Sequence, residues 1–190
     1  MDGHFVPNLT IGAPVVKSLR KHTDLFMDCH LMITDPAKYL PDFAAAGANS
    51  CSVHVELGAS SDLIKQTRDL GMGVGLVANP DTPFEEFAEF LGDVDVILLM
   101  TVFPGFGGQK FIESVLPKMS QTAHEIERLG VATLIQVDGG IDVVNGPRAA
   151  AAGARAFVAG HAIFAQADPL QAAKDLRASL TSAIAQQVQS

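Results

Sequence analysis

The chain of 190 residues has only two cysteines, Cys29 and Cys51. A disulfide scaffold needs more, and both stand in apolar, strand-like runs, so free thiols in a reducing, cytoplasmic compartment are expected. Basic residues are scarce too: 13 Lys and Arg against 21 Asp and Glu leave a formal net charge of -8. A field of that sign opposes nucleic acid and anionic membrane surfaces, so neither is expected as a partner. It leaves room for a phosphorylated small molecule, because backbone N–H groups hold phosphate without a basic protein. Long apolar runs are missing as well, and the opening stretch MDGHFVPN has no basic start leading into an apolar segment. Neither a spanning helix nor a secretory leader is expected.

Hydrophobic residues make up 48% and charged residues 18% of the chain. That composition suits a single domain over residues 1–190 with a sizeable core, not a disordered chain. Short β-branched runs alternate with helical patterns. Strands are predicted at Leu25–Ile33, Ser50–Glu56, Val74–Ala78, Val94–Met100, Thr133–Val137 and Ala156–Ala159. Helices are predicted at Pro36–Ala46, Ser61–Leu70, Phe84–Phe90, Phe111–Leu129, Val143–Ala152 and Pro169–Ile184, with a short one near Ala13–Lys21 ahead of the first strand. Gly47, Gly71, Gly130 and Gly153 fall where helices should end in left-handed caps. The alternation implies an α/β protein with parallel strands and right-handed crossovers. Six strands suit a doubly wound sheet. A (β/α)8 TIM barrel needs about eight, so the count falls two short.

Strand periodicity sorts the polar residues. Asp28, His30 and Met32 share one face of their strand, and Met27, Cys29, Leu31 and Ile33 the other. Ser52, His54 and Glu56 share a face, as do Leu134, Gln136 and Asp138. The apolar faces suit packing against helices, which turns the polar faces inward. Polar groups there are costly unless paired or functional. A structural polar layer is one reading, with His54 and Glu56 a buried hydrogen-bonded pair. Glycine-rich turns favour a functional one: TVFPGFGGQK at Thr101–Lys110, DGGI at Asp138–Ile141 and GHAIF at Gly160–Phe164 each follow a strand. Such turns expose N–H groups to anions, although tight βα turns also need glycine.

MDGHFVPN, CHLM at Cys29–Met32, MTVFPGFGGQ at Met100–Gln109, VDGGI at Val137–Ile141 and AGHAIF at Ala159–Phe164 resemble, in order and spacing, the ribulose-phosphate 3-epimerase family. The resemblance implies a TIM barrel that interconverts D-ribulose 5-phosphate and D-xylulose 5-phosphate in the pentose phosphate pathway. It implies one divalent metal ion (Zn, Fe, Mn or Co) and a phosphorylated ketopentose as partner; a homo-oligomer is expected from the open sheet edges that two missing strands would leave. His30 and Asp138 correspond to metal ligands that also bind the substrate, and Asp138 also to an acid/base carboxylate. Met1, Met32 and Met100 correspond to substrate-lining methionines, and Gly105, Phe106, Gly107 and Gly108 to a closing loop. Gly139, Gly140, Gly160 and His161 correspond to the phosphate cradle, with His161 where a small serine is usual. A family His-x-Asp pair, two ligands and the second acid/base carboxylate, would lie upstream of Met1, along with the first strand. The chain is therefore expected to be an N-terminally truncated barrel of about six βα units plus a leading helix, read from a late gene start and impaired as an enzyme. Rival readings are a hexulose 6-phosphate epimerase, such as one for allulose 6-phosphate, and a non-catalytic fragment. A decarboxylase or aldol-type enzyme favours a Lys among strand-end acids, and none stands there.

Overall fold

The computed structural model describes residues 1–187. Six strands form one parallel sheet: β1 (Asp28–Leu31), β2 (Ser50–His54), β3 (Gly73–Ala78), β4 (Val96–Met100), β5 (Leu134–Asp138) and β6 (Ala156–Val158). They are paired strictly in chain order, so the sheet curls with β1 and β6 as its two edges. Helices connect the strands: α1 (Ala13–Arg20) before β1, then α2 (Pro36–Ala46), α3 (Ser60–Asp69), α4 (Leu116–Leu129), α5 (Asn145–Ala151), α6 (His161–Phe164) and α7 (Pro169–Gln187). This is an incomplete barrel of six βα units behind a leading helix.

Local signals explain most boundaries. Asp35 caps α2 by accepting from the Lys38 N–H, Pro36 occupies its first turn, and Gly47 ends it in the left-handed region; Pro fits there because the first N–H groups of a helix lack partners anyway. Pro41 inside α2 removes an N–H and leaves the Ala37 carbonyl open. Gln66 of α3 donates to that carbonyl at 2.8 Å. Gly71, Gly130 and Gly153 take positive φ at the expected helix ends.

Three expectations need correction. The helix predicted over Phe84–Phe90 is two 3-10 turns, Phe84–Glu86 and Ala88–Phe90. Phe87 between them is fully buried, and seating it there breaks the helical rise. The strand through Glu56 ends at His54, because residues 55–57 turn into a 3-10 segment closed by Gly58 at φ 74°. The GHAIF segment is the short helix α6 and not only a turn.

The sheet separates two apolar layers. Leu31, Ile33, Cys51, Val53, Val74, Leu76, Ile97, Leu99 and Val137 face outward and pack with Leu40, Phe43, Leu63 and Met119 of the helices. Each fully buried side chain of this kind stabilises by about 1.5–3 kcal/mol. Val77, Leu98, Met100 and Val102, with Met32, form a smaller cluster on the concave side. The alternation predicted for β1 and β2 therefore holds. Cys29 and Cys51 are free thiols.

The N-terminal segment is tied over the strand ends. The Asp2 carboxylate accepts from the N–H groups of His4 and Phe5, both at 2.9 Å, and from Thr34 N–H at 2.8 Å and hydroxyl at 2.7 Å. Burial pushes this carboxyl up, but the hydrogen bonds outweigh burial and hold it well below the usual carboxylate range. Asp2→Ala should cost about 1–2 kcal/mol, the size of a lost capping side chain. The N–H groups of residues 4 and 5 should then exchange faster with solvent. Unchanged thermal stability and exchange would show that Asp2 does not anchor this segment.

Candidate active site

The C-terminal ends of the strands open into one cavity of about 910 Å³. Met1, Met32 and Met100 contribute thioether wall, Gly105, Phe106, Gly107 and Gly108 one rim, and Asp138, Gly139, Gly140, Gly160 and His161 the opposite side. The positions that carry the family resemblance, His30 excepted, thus line one cavity. His30 does not line the cavity itself but stands immediately behind Asp138.

The turn after β5 can be built only with glycine. Gly139 has φ 122°, and a Cβ there would meet Val102 side-chain atoms at 2.5 Å and its backbone N at 2.8 Å. Gly140 has φ 62°, and its Cβ would lie 2.6 Å from the Phe111 N. Thr101 pins the same turn, its hydroxyl donating to the carbonyls of Asp138 at 3.0 Å and Gly139 at 2.6 Å. Asn145 Nδ2 donates to the Gly140 carbonyl at 3.0 Å, while Asp142 accepts from Val144 and Asn145 N–H groups. Both residues of this prop line the cavity and were missed in sequence, although an Asp three positions before an Asn is a recognisable local turn. On the opposite rim, Gln109 Nε2 donates to the carbonyls of Phe103 at 2.7 Å and Phe106 at 2.8 Å. Asn8 donates to the Gly105 carbonyl.

A polar row runs along the concave face. At its lower end Asp28 accepts from Ser50 Oγ at 2.6 Å and, across the curl, from Gln136 Nε2 at 3.1 Å. That satisfies Asp28 as a brace between β1 and β5. Higher up, His30 Nε2 meets His54 Nε2 at 2.8 Å, and His54 Nδ1 meets Glu56 Oε2 at 2.9 Å. The other Glu56 oxygen accepts from the Asn79 N–H at 2.7 Å and from the Thr82 hydroxyl. His54 is fully buried, and the Phe5 ring lies against it with centroids 4.5 Å apart. Burial pushes the His54 pKa down, more than Glu56 raises it, so the ring is neutral. Burial raises the Glu56 carboxyl, but its hydrogen bonds prevail and hold it below its ordinary value, so it stays ionised.

His30 Nδ1 points to the cavity side. It is buried without a hydrogen-bond partner and stands 3.8 Å from Asp138 Oδ2. An orphaned imidazole nitrogen facing a carboxylate is a pair of donors that suits a transition-metal ion, whose bonds to such atoms are about 2 Å long. Among the described residues no third His, Cys, Asp or Glu joins them.

A parallel, curled βα sheet with its functional residues at the C-terminal strand ends defines a barrel-type α/β protein. Its fold matches 3-hexulose-6-phosphate synthase (TM-score 0.65, 22% identity, 88% of this chain and 80% of that one). It also matches KGPDC from Streptococcus mutans (TM-score 0.71, 16% identity, 90% and 80%). Residues 1–164 match the ribulose-phosphate 3 epimerase family. Ribulose-phosphate 3-epimerase of Bacillus subtilis strain 168 is 46% identical over 184 residues, covering 94% of this chain and 83% of that protein. The cytoplasmic isoform of Oryza sativa subsp. japonica is 44% identical over 185 residues, covering 95% and 79%. The chain belongs to the ribulose-phosphate 3-epimerase family and is an epimerase.

Ala at either glycine of the turn should destabilise the protein by about 2–3 kcal/mol, through positive φ and overpacking together. Chemical denaturation of Gly139→Ala and Gly140→Ala measures this. A loss within about 0.5 kcal/mol would mean the turn relaxes freely.

Proposed function

We propose that the chain acts on D-ribulose 5-phosphate, moving a proton at carbon 3 toward D-xylulose 5-phosphate in the pentose phosphate pathway. The observation that carries this reading is the convergence of Asp138 and the orphaned His30 nitrogen beside a turn that only glycine can form. Asp138 is the acid/base group: its carboxylate is exposed to the cavity and takes the proton beside the ketone. Gly139, Gly140, Gly160 and the His161 N–H cradle the phosphate, as glycine turns after late barrel strands do. Met1, Met32 and Met100 give an apolar wall that keeps water from the reacting carbons. Gly105 to Gly108, with Phe106, act as the closing loop.

His30 Nδ1 and Asp138 would hold one divalent cation (Zn, Fe, Mn or Co). Such an ion, when bound, supplies Lewis-acid stabilisation of the negative charge that develops on the sugar oxygens. Two protein donors are fewer than the three usual for catalytic zinc, so affinity at this pair alone should be weak.

Inversion needs a second acid on the opposite face of the substrate. Of the other cavity carboxylates, Asp142 is occupied by two N–H groups, and Asp175 accepts from Gln171 at 2.8 Å. Conversion by residues 1–190 alone should therefore be slow. The free thiols suit a cytoplasmic setting. Self-association is supported by the two edge strands, flanked by Leu25 and Phe26 on one side and Phe164 and Leu170 on the other, all largely exposed.

Formation of xylulose 5-phosphate from ribulose 5-phosphate with added zinc, manganese or iron tests the reading. Weak turnover that Asp138→Asn lowers at least about 100-fold, the usual worth of an acid/base group, is the expected result. Turnover unaffected by Asp138→Asn would remove Asp138 from the chemistry. Zinc binding by equilibrium dialysis gives a second test: His30→Ala should abolish it, whereas Asp28→Ala, whose carboxylate is spent on Ser50 and Gln136, should not. Equal losses would separate His30 from the metal.

A further inference from the structure

Where two imidazoles meet nitrogen to nitrogen, one must donate and the other accept. At His30 and His54 the division is imposed from the far end. Glu56 is ionised and accepts only, so the 2.9 Å contact places the proton of His54 on Nδ1. The Nε2 of a neutral His54 is then a bare acceptor. The 2.8 Å contact therefore needs Nε2–H on His30. With the His30 proton on Nε2, its Nδ1 is left as a lone pair, which agrees with the absence of a hydrogen-bond partner at that buried nitrogen. It stands 3.8 Å from Asp138 Oδ2.

We propose that Glu56, acting through His54, is a positioning residue that fixes the tautomer of His30 and so presents its Nδ1 lone pair to the cation site beside Asp138. Neither Glu56 nor His54 touches the substrate cavity, and their effect is exerted entirely through His30.

The relay is built to hold its direction. Glu56 is itself oriented by donors that cannot reverse: the Asn79 N–H at 2.7 Å has no acceptor capacity. The loop that carries this N–H is clamped by Lys118, whose Nζ donates to the carbonyls of Asn79 at 2.7 Å, Pro80 at 3.1 Å and Thr82 at 2.7 Å. Phe5 lies against the His54 ring, and the His30 and His54 rings meet end to end, their planes 29° apart and their centroids 5.0 Å apart. No rotation of either imidazole is needed for the chain of hydrogen bonds to form.

This geometry gives an unusual consequence for an isosteric change. In Glu56→Gln the amide oxygen must stay on the Asn79 N–H, which puts the NH2 group against His54 Nδ1. That nitrogen becomes the acceptor, the His54 proton moves to Nε2, and His30 Nε2 must accept. The His30 proton is then on Nδ1, where it caps the lone pair. One distant substitution, without a change of shape, inverts both tautomers.

Long-range 1H–15N correlation spectra of 15N-histidine-labelled, metal-free protein read the tautomers directly. The signals among the six histidines are assigned by their loss in His30→Gln and His54→Gln. Expected in the unsubstituted protein are Nε2–H on His30 and Nδ1–H on His54, and in Glu56→Gln the reverse at both. Zinc Kd should rise at least about tenfold in Glu56→Gln, as for other groups that orient a metal-bound histidine. Only the zinc arm rests on the functional reading above, since the tautomers are set before any metal binds. Inverted tautomers without zinc binding to either protein would uphold the relay and overturn the metal reading. A His30 tautomer unchanged by Glu56→Gln would overturn the relay while leaving the metal reading intact. Should Glu56→Gln not fold, the unsubstituted protein still decides: Nδ1–H on His30 there contradicts the proposal.

Discussion

A carboxylate buried beside an imidazole accepts hydrogen bonds and nothing else, and that restriction propagates. Glu56 fixes His54, His54 fixes His30, and the free nitrogen of His30 comes to rest opposite Asp138. The surrounding fold serves this line. Parallel pairing of β1 with β2 sets His30 opposite Ser52, which brings His54 one step further toward the cavity, within reach of both His30 and the turn that carries Glu56. The curl of the sheet then carries Asp138 around from β5. Asp28, His54 and Glu56 all have partners, which offsets the cost of burying them. His30 Nδ1, Ser52 Oγ and Gln136 Oε1 have none among the described residues, and of these His30 Nδ1 is the one that stands 3.8 Å from Asp138 Oδ2.

Much of this could be read from the order of residues. Alternation along Met27–Ile33 separated Asp28, His30 and Met32 from Cys29 and Leu31, and the two apolar layers have that composition. Parallel βα order, helix ends at glycine, and the convergence of the three glycine turns on one cavity were equally legible, since each depends on a local signal. The 3-10 turns around Phe87 were not: an apolar pattern of helical spacing is overridden when one bulky ring must be buried. The pairing of His54 with Glu56 was legible as one reading, and the structure has it. The contact of His54 with His30 was not, because it depends on register between strands distant in the chain. Asn79, Thr82 and Lys118, which hold Glu56 in place, carry no motif.

The same geometry divides the reaction. Removing the proton at carbon 3 requires one base, a route to the carbonyl charge and protection from water. The proposed reading gives those tasks to Asp138, His30 and the methionine wall. Returning a proton to the other face requires an acid across the substrate, and the other two carboxylates that line the cavity, Asp142 and Asp175, already accept hydrogen bonds from their own segments. On that reading, exchange of the carbon 3 proton with solvent and inversion at that carbon should be separable in this chain, with Asp138 serving the first.

Incubation with ribulose 5-phosphate and zinc in D2O, followed by NMR of the recovered sugar phosphates, measures both processes at once. Deuterium entering carbon 3 of ribulose 5-phosphate faster than xylulose 5-phosphate forms is the predicted result. A sugar that returns without deuterium at carbon 3 would contradict the assignment of this cavity to proton removal by Asp138.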